Sequence, residues 1–225
     1  KPALDPVTQY ALDVTEGRIL AGPYVRLACQ RHLNDLNRDD IVWDLTAANR
    51  AIRFFPDVLR LNGGTFEGKP FELQPWQAFI VGSLFGWKTP DGFRRFRVAY
   101  NEIGKGNGKS PLAAGIGHYT LSADKEARAE IYAAATKKDQ AMILFRDAVA
   151  MWQQSPALKR RLKPSGAEPN IWNLADIATG SFFRPIASDD AQSGPRPHCG
   201  LIDEVHEHKT SNVVDMMRAG TKGRT

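Results

Sequence analysis

The chain has 225 residues, 42% of them hydrophobic and 24% charged, with a formal net charge of +5. That length buries one substantial core with room for a small appendage, and the balance is that of a globular domain rather than a disordered chain. No apolar run is long enough to span a membrane, and the opening Lys1-Pro2-Ala3-Leu4 does not read as a signal peptide. A cytosolic protein is the natural reading, with Cys29 and Cys199 expected as reduced thiols. The positive charge is compatible with a nucleic-acid partner without requiring one.

In chain order, helical periodicity runs from Ala21 to Leu36 and from Ile41 to Leu61, the second stretch broken at Pro56 and closed by Asn62-Gly63-Gly64. Residues 1–70 therefore read as a helical N-terminal layer and 71–225 as the main core. From Phe71 onward the pattern becomes strands alternating with helices. Phe96 to Tyr100 reads as a short strand, Asn101 to Ser110 as a glycine-rich loop, and Pro111 to Leu121 as a helix with its proline in the first turn. Ala129 to Ala135 reads as a strand, Lys137 to Gln154 as a helix, and Asn170 to Ala187 as two strands around Thr179-Gly180. A polar loop from Ser188 to Pro197 then leads into the apolar run His198 to Ile202, which ends in Asp203-Glu204. This alternation predicts an α/β fold with a mainly parallel sheet flanked by helices. Two basic clusters, Arg94-Arg95-Phe96-Arg97 and Lys159-Arg160-Arg161-Leu162-Lys163, read either as solvated charge at element ends or as DNA contacts.

The loop Asn101-Glu102-Ile103-Gly104-Lys105-Gly106-Asn107-Gly108-Lys109-Ser110 carries the densest chemical information. Glycines let backbone N–H groups converge on phosphate oxygens, and the following helix N-terminus adds positive partial charge. In such a loop Lys109 reaches the β and γ phosphates and Ser110 holds Mg²⁺. Ile103 stands where the general G-x-x-x-x-G-K-[ST] pattern places its first glycine, and Gly104 and Gly106 are offset alternatives. About ninety residues downstream, Asp203 and Glu204 supply the acidic companion of a phosphate loop. Asp203 is placed to bind Mg²⁺ beside Ser110, and Glu204 to activate the water that attacks the γ-phosphate.

Three other patterns are set aside. Thr136-Lys137-Lys138-Asp139 has the form of a guanine-reading motif but precedes the acidic strand, so it reads as a helix start. His206-Glu207-His208 lacks the spacing for a shared metal. Asp189-Asp190 lies in a Ser/Gly/Pro loop, where adjacent carboxylates are solvated.

Together these elements, over residues 71–225, resemble the large terminase subunit of tailed bacteriophages, the ATPase that drives viral DNA into a capsid. The resemblance implies a P-loop NTPase fold of the RecA/ASCE type, working on ATP with Mg²⁺. The family's adenine-binding segment is similar to Phe71-Glu72-Leu73-Gln74-Pro75-Trp76-Gln77, which makes Gln77 the adenine reader, through an amide that donates and accepts at once. The phosphates are then expected against Gly104, Gly106, Asn107, Gly108, Lys109 and Ser110. Where the family carries an arginine four residues before the lysine, this chain has Lys105, a point charge without the bidentate fork. Catalysis is thus assigned to Glu204, Lys109 and Lys105, and metal binding to Ser110 and Asp203.

The implied partners are double-stranded DNA, neighbouring copies in a ring, a portal protein and a small terminase subunit, with no membrane, in the host cytoplasm. The family's coupling motif and nuclease domain are not visible up to Thr225, so a truncated ATPase core without nuclease activity is expected. Two rival readings are a helicase-like DNA-dependent ATPase, suggested by Asp203-Glu204-Val205-His206, and an ATP-binding regulatory module without turnover.

Overall fold

Two groups of elements each bury a core of their own in the computed structural model, which describes residues 5–187 and 195–221. The first unit takes residues 1–57 and 72–102, the second 58–71 and 103–225. The expected Asp189-Asp190 pair and most of its polar loop lie outside the described residues.

The first unit is built on α1 (Pro6–Thr15), α2 (Pro23–Asp35), most of α3 (Leu45–Val58) and α4 (Pro75–Gly86). α1, α2 and α4 open with a proline, which sits where a backbone N–H has no intrahelical partner anyway. Val7, Tyr10, Ala11 and Val14 of α1 pack with Cys29 and Phe79, and Gly82 lets α1 close on α4: a Cβ there would stand 2.3 Å from Val7. A short antiparallel ladder joins β1 (Val42–Trp43) to β2 (Trp87–Lys88).

A chain of hydrogen bonds fixes this core. Trp87 Nε1 donates to His32 Nδ1 at 3.1 Å, which leaves His32 Nε2 to donate to Thr8 Oγ1 at 3.0 Å. Thr8 Oγ1 in turn donates to Asp5 Oδ2 at 2.7 Å. The imidazole is therefore neutral, and burial pushes its pKa below the ordinary value.

Two sequence expectations fail here. α3 continues through Pro56 to Val58, because a proline in the last turn removes one hydrogen bond without ending the rest. Phe96 to Tyr100 forms no strand; Val98 and Tyr100 are 63% and 77% exposed. Apolar residues in an extended run become a strand only when a neighbour supplies backbone partners.

The second unit contains α5 (Lys109–Ser122), β3 (Glu130–Ala135), α6 (Lys138–Gln154), α7 (Pro156–Arg161), β4 (Leu162–Ser165), β5 (Asn173–Asp176), β6 (Ser181–Ala187), β7 (Cys199–Ile202) and α8 (Asn212–Gly220). The sheet order is β4-β5-β6-β3-β7. β3 pairs in parallel with β6 and β7, placing Ala134 opposite both Ile186 and Ile202, while β5 runs antiparallel to β4 and β6. Four strands thus share one direction and β5 opposes them, giving the expected mainly parallel α/β sheet flanked by helices.

β3 is buried from Ile131 to Ala135, as a central strand covered on both faces must be. On one face α5 and α6 pack through Phe145, edge-on to Phe183 at 5.4 Å, and through Gly117, whose added Cβ would lie 2.6 Å from the Phe183 ring. On the other, Tyr132, Ala134 and Ile186 meet Val213 and Met217 of α8. β4 closes one end of the sheet with Lys163 and Pro164, residues that discourage further pairing. Neither Cys29 nor Cys199 is in a disulfide, and no helix among the described residues is long and apolar enough to cross a membrane.

His118 ties α5 to α6 by donating Nε2–H to Ala148 O at 2.7 Å, and burial drives its pKa down to about 4. The folded state then binds fewer protons than the unfolded chain between that value and the ordinary one near 6.5. Stability is full above that ordinary value and is lost as pH falls toward 4. Urea unfolding at stepped pH is expected to show a loss of up to about 3 kcal/mol from this group between pH 7 and 4, with a flatter profile in His118→Gln. Equal slopes for both proteins would remove His118 as the cause.

Candidate active site

β7 ends at Ile202, and its parallel register on β3 delivers Asp203 and Glu204 at the carboxyl end of the sheet, beside the N-terminus of α5. The loop entering α5 needs glycine: Gly106 and Gly108 have φ of +83° and +75°, and Gly108 is the N-cap residue. Glycine supplies no side chain to cap the helix, Pro111 carries no N–H and Leu112 N–H bonds Gly108 O at 3.1 Å, so the N–H groups of Lys109 and Ser110 are the first-turn donors that face outward for an anion. Asn107 folds the loop back on itself, its Nδ2 donating to Gly104 O at 3.3 Å.

Ser110 Oγ donates to Asp203 Oδ2 at 2.7 Å. Next to it Lys109 Nζ donates to Glu204 Oε1 and lies 4.0 Å from Asp203 Oδ1. Asp203 Oδ1 also accepts from the Glu204 backbone N–H at 2.9 Å, and His206 Nδ1 is 3.3 Å from Glu204 Oε2. The hydrogen bond from Lys109 holds the Glu204 carboxyl below its ordinary pKa, with the charges of Lys109, His206 and Lys105 adding to it. Reciprocally, that hydrogen bond and the charges of Asp203, Glu204 and Glu207 raise Lys109. Lys105 itself is exposed on the loop turn.

A hydroxyl and a carboxylate in contact form a hard oxygen pair of the kind that suits Mg²⁺. A carboxylate clamped by an ammonium is a weak base, so the Lys109 contact keeps the basicity of Glu204 low in this arrangement. Glu204 also carries left-handed backbone angles, φ +49° and ψ +47°, unusual outside glycine.

The structure thus brings together Lys109, Ser110, Asp203 and Glu204, with Lys105 near enough to act on Glu204. Gln77 lies in the first unit, at the third position of α4, 4% exposed, where its Oε1 accepts from the Gln74 backbone N–H at 2.9 Å. Thr136-Lys137-Lys138-Asp139 is a helix start, with α6 beginning at Lys138. Asp147 of α6 escaped the sequence reading. Burial raises its pKa, Asp203 adds to the shift, and Asn62 Nδ2 donates to its Oδ1 at 3.1 Å. No local motif marks an acid in mid-helix; only the fold shows that it feels the Asp203 charge.

A family model described as the terminase large subunit, ATPase domain, matches residues 75–225. Among solved structures, the large terminase of bacteriophage HK97 is similar, with a TM-score of 0.64 and 20% identity over 77% of this chain and 35% of that one. The chain therefore spans about a third of that protein's length, and at this identity the likeness is one of fold. Comparison with curated proteins gave no match.

Glu204→Gly, which removes the side chain from a left-handed backbone, is expected to stabilise the protein by about 1 kcal/mol, raising the thermal midpoint by about 3 °C. A lower midpoint would mean that the Lys109 contact outweighs the backbone strain.

Proposed function

We propose that this chain, which belongs to the family of terminase large subunits through their ATPase domain, hydrolyses ATP and couples the reaction to the translocation of double-stranded DNA into a capsid. The observation that carries the proposal is the convergence of Lys109-Ser110 on Asp203-Glu204 where α5 meets β7. The family match from residue 75 supports taking 71–225 as the ATPase core and 1–70 as a helical segment preceding it.

In this reading Gly104, Gly106, Asn107 and Gly108 shape the phosphate cradle, with the uncapped N-terminus of α5 facing the anion. Lys109 leaves Glu204 for the β and γ phosphates, and Lys105 adds charge stabilisation from the exposed turn. Ser110 and Asp203 would hold a magnesium ion, which would supply charge neutralisation at the phosphates. Glu204, freed from its ion pair, accepts the proton of the attacking water. Gln77 is assigned to adenine, a role that asks its amide to keep hydrogen-bonding capacity beyond the helix cap it already makes. Ring assembly with neighbouring copies, a portal protein, a small terminase subunit and the host cytoplasm belong to the same proposal.

Steady-state ATP turnover with Mg²⁺ tests the assignment. Glu204→Gln is expected to bind ATP while losing about 10²- to 10⁴-fold in kcat, the range for a general base. Lys109→Ala is expected to lose both binding and turnover, and Lys105→Ala to lower kcat with ATP affinity little changed. Wild-type turnover by Glu204→Gln would end the assignment of the base. An unaltered rate in Lys105→Ala would remove that lysine from the mechanism.

A further inference from the structure

Of the two basic clusters in the chain, one is accounted for by packing. Lys159, Arg160 and Arg161 close the last turn of α7, where cations face the negative end of the helix, and Arg161 is tied to the buried Asp176 at 2.6 Å. The cluster around Phe96 is held by packing in part, and it meets a further cation from α2. Arg95 is anchored, its Nη1 2.5 Å from Asp35 Oδ2, its backbone N–H donating to Trp87 O at 3.0 Å and its guanidinium 5.6 Å from the Trp87 ring centroid. The same guanidinium lies 4.9 Å from the Phe96 centroid, and Arg31, reaching from α2, lies 4.7 Å from it.

Two like charges therefore share one aromatic ring, within about 10 Å of each other. Asp35, 5% exposed at its side chain, already serves Arg95 and, at 3.4 Å, Arg38. Among the described residues Arg31 makes no ion pair. Partial desolvation, followed by repulsion from Arg95, pushes its pKa below the ordinary value, and the charge of Asp35, already shared with Arg95 and Arg38, offsets only part of that shift. An arriving anion relieves that repulsion. Arginine suits phosphate because its planar fork binds two oxygens at once, and stacking on Phe96 fixes that fork before the ligand arrives. Arg94 and Arg97 continue the basic segment on either side of Arg95-Phe96.

We propose that the Arg31–Phe96–Arg95 stack is a contact surface for the phosphate backbone of duplex DNA, an inference that rests on the DNA-translocation reading above. A strand carries one charge per roughly 3.4 Å of helix axis, so a stack of this span meets more than one phosphate. Contacts of this kind hold the backbone without reading bases, which is what a protein moving along any sequence requires.

The test is fluorescence anisotropy of two labelled duplexes of unrelated sequence, titrated with the 225-residue chain across salt from about 50 to about 200 mM. Arg31→Ala is expected to weaken both duplexes alike, by about five- to tenfold, and to reduce the salt slope by about 1. Arg31→Lys, which keeps the charge but not the fork, is expected to fall between, with the thermal midpoints of both variants near wild type. If the wild type binds and Arg31→Ala binds with the same affinity and slope, the surface is overturned and the DNA reading stands. No duplex binding by the wild type, including the case in which an acidic peptide binds instead, overturns both.

Discussion

The hydrogen bond from Ser110 to Asp203, with the Lys109–Glu204 pair beside it, is the constraint on which the site depends. It joins the first turn of a helix to the end of a strand, and both ends must be held to within the reach of a short side chain. The strand end is set by register: β7 lies parallel to β3, so its carboxyl end is the place where chemistry can be displayed. The helix end is set by close packing. Gly117 lets α5 approach Phe183, and His118 bonds the same helix to α6. The fold thus fixes two points in space, and four side chains occupy the gap.

Charge balance within that gap ties the side chains to one another. Lys109 and Glu204 each favour the other's charged form, and a carboxylate so paired is a poor proton acceptor. In the proposed mechanism phosphate competes with Glu204 for the same ammonium, so that an anion at the loop changes the basicity of Glu204. The left-handed backbone at Glu204 fits a position where function outranks local stability.

Much of the second unit was legible in the sequence, because parallel-sheet architecture writes itself as apolar runs followed by helical periods. The strand at β3 and the helix after it follow that rule, while the antiparallel hairpin of β5 and β6 shows instead as two strands around Thr179-Gly180. The meeting of the glycine-rich loop with Asp203-Glu204 was legible because the chemistry proposed for them needs particular residues at particular spacings. Other features depend on contacts distant in sequence. Phe96 to Tyr100 has the composition of a strand but no ladder partner, and Pro56 looks like a breaker but falls where only one turn remains. Asp147 and the Arg31–Phe96 stack are invisible in one dimension, since each is defined by a neighbour brought near by folding.

The most direct measurement is a crystal structure of the chain with Mg²⁺ and a non-hydrolysable ATP analogue. The account predicts phosphates against residues 106–110, the metal between Ser110 and Asp203, and Lys109 turned from Glu204 to the phosphates. A nucleotide bound elsewhere, with the Lys109–Glu204 and Ser110–Asp203 bonds intact, would contradict it.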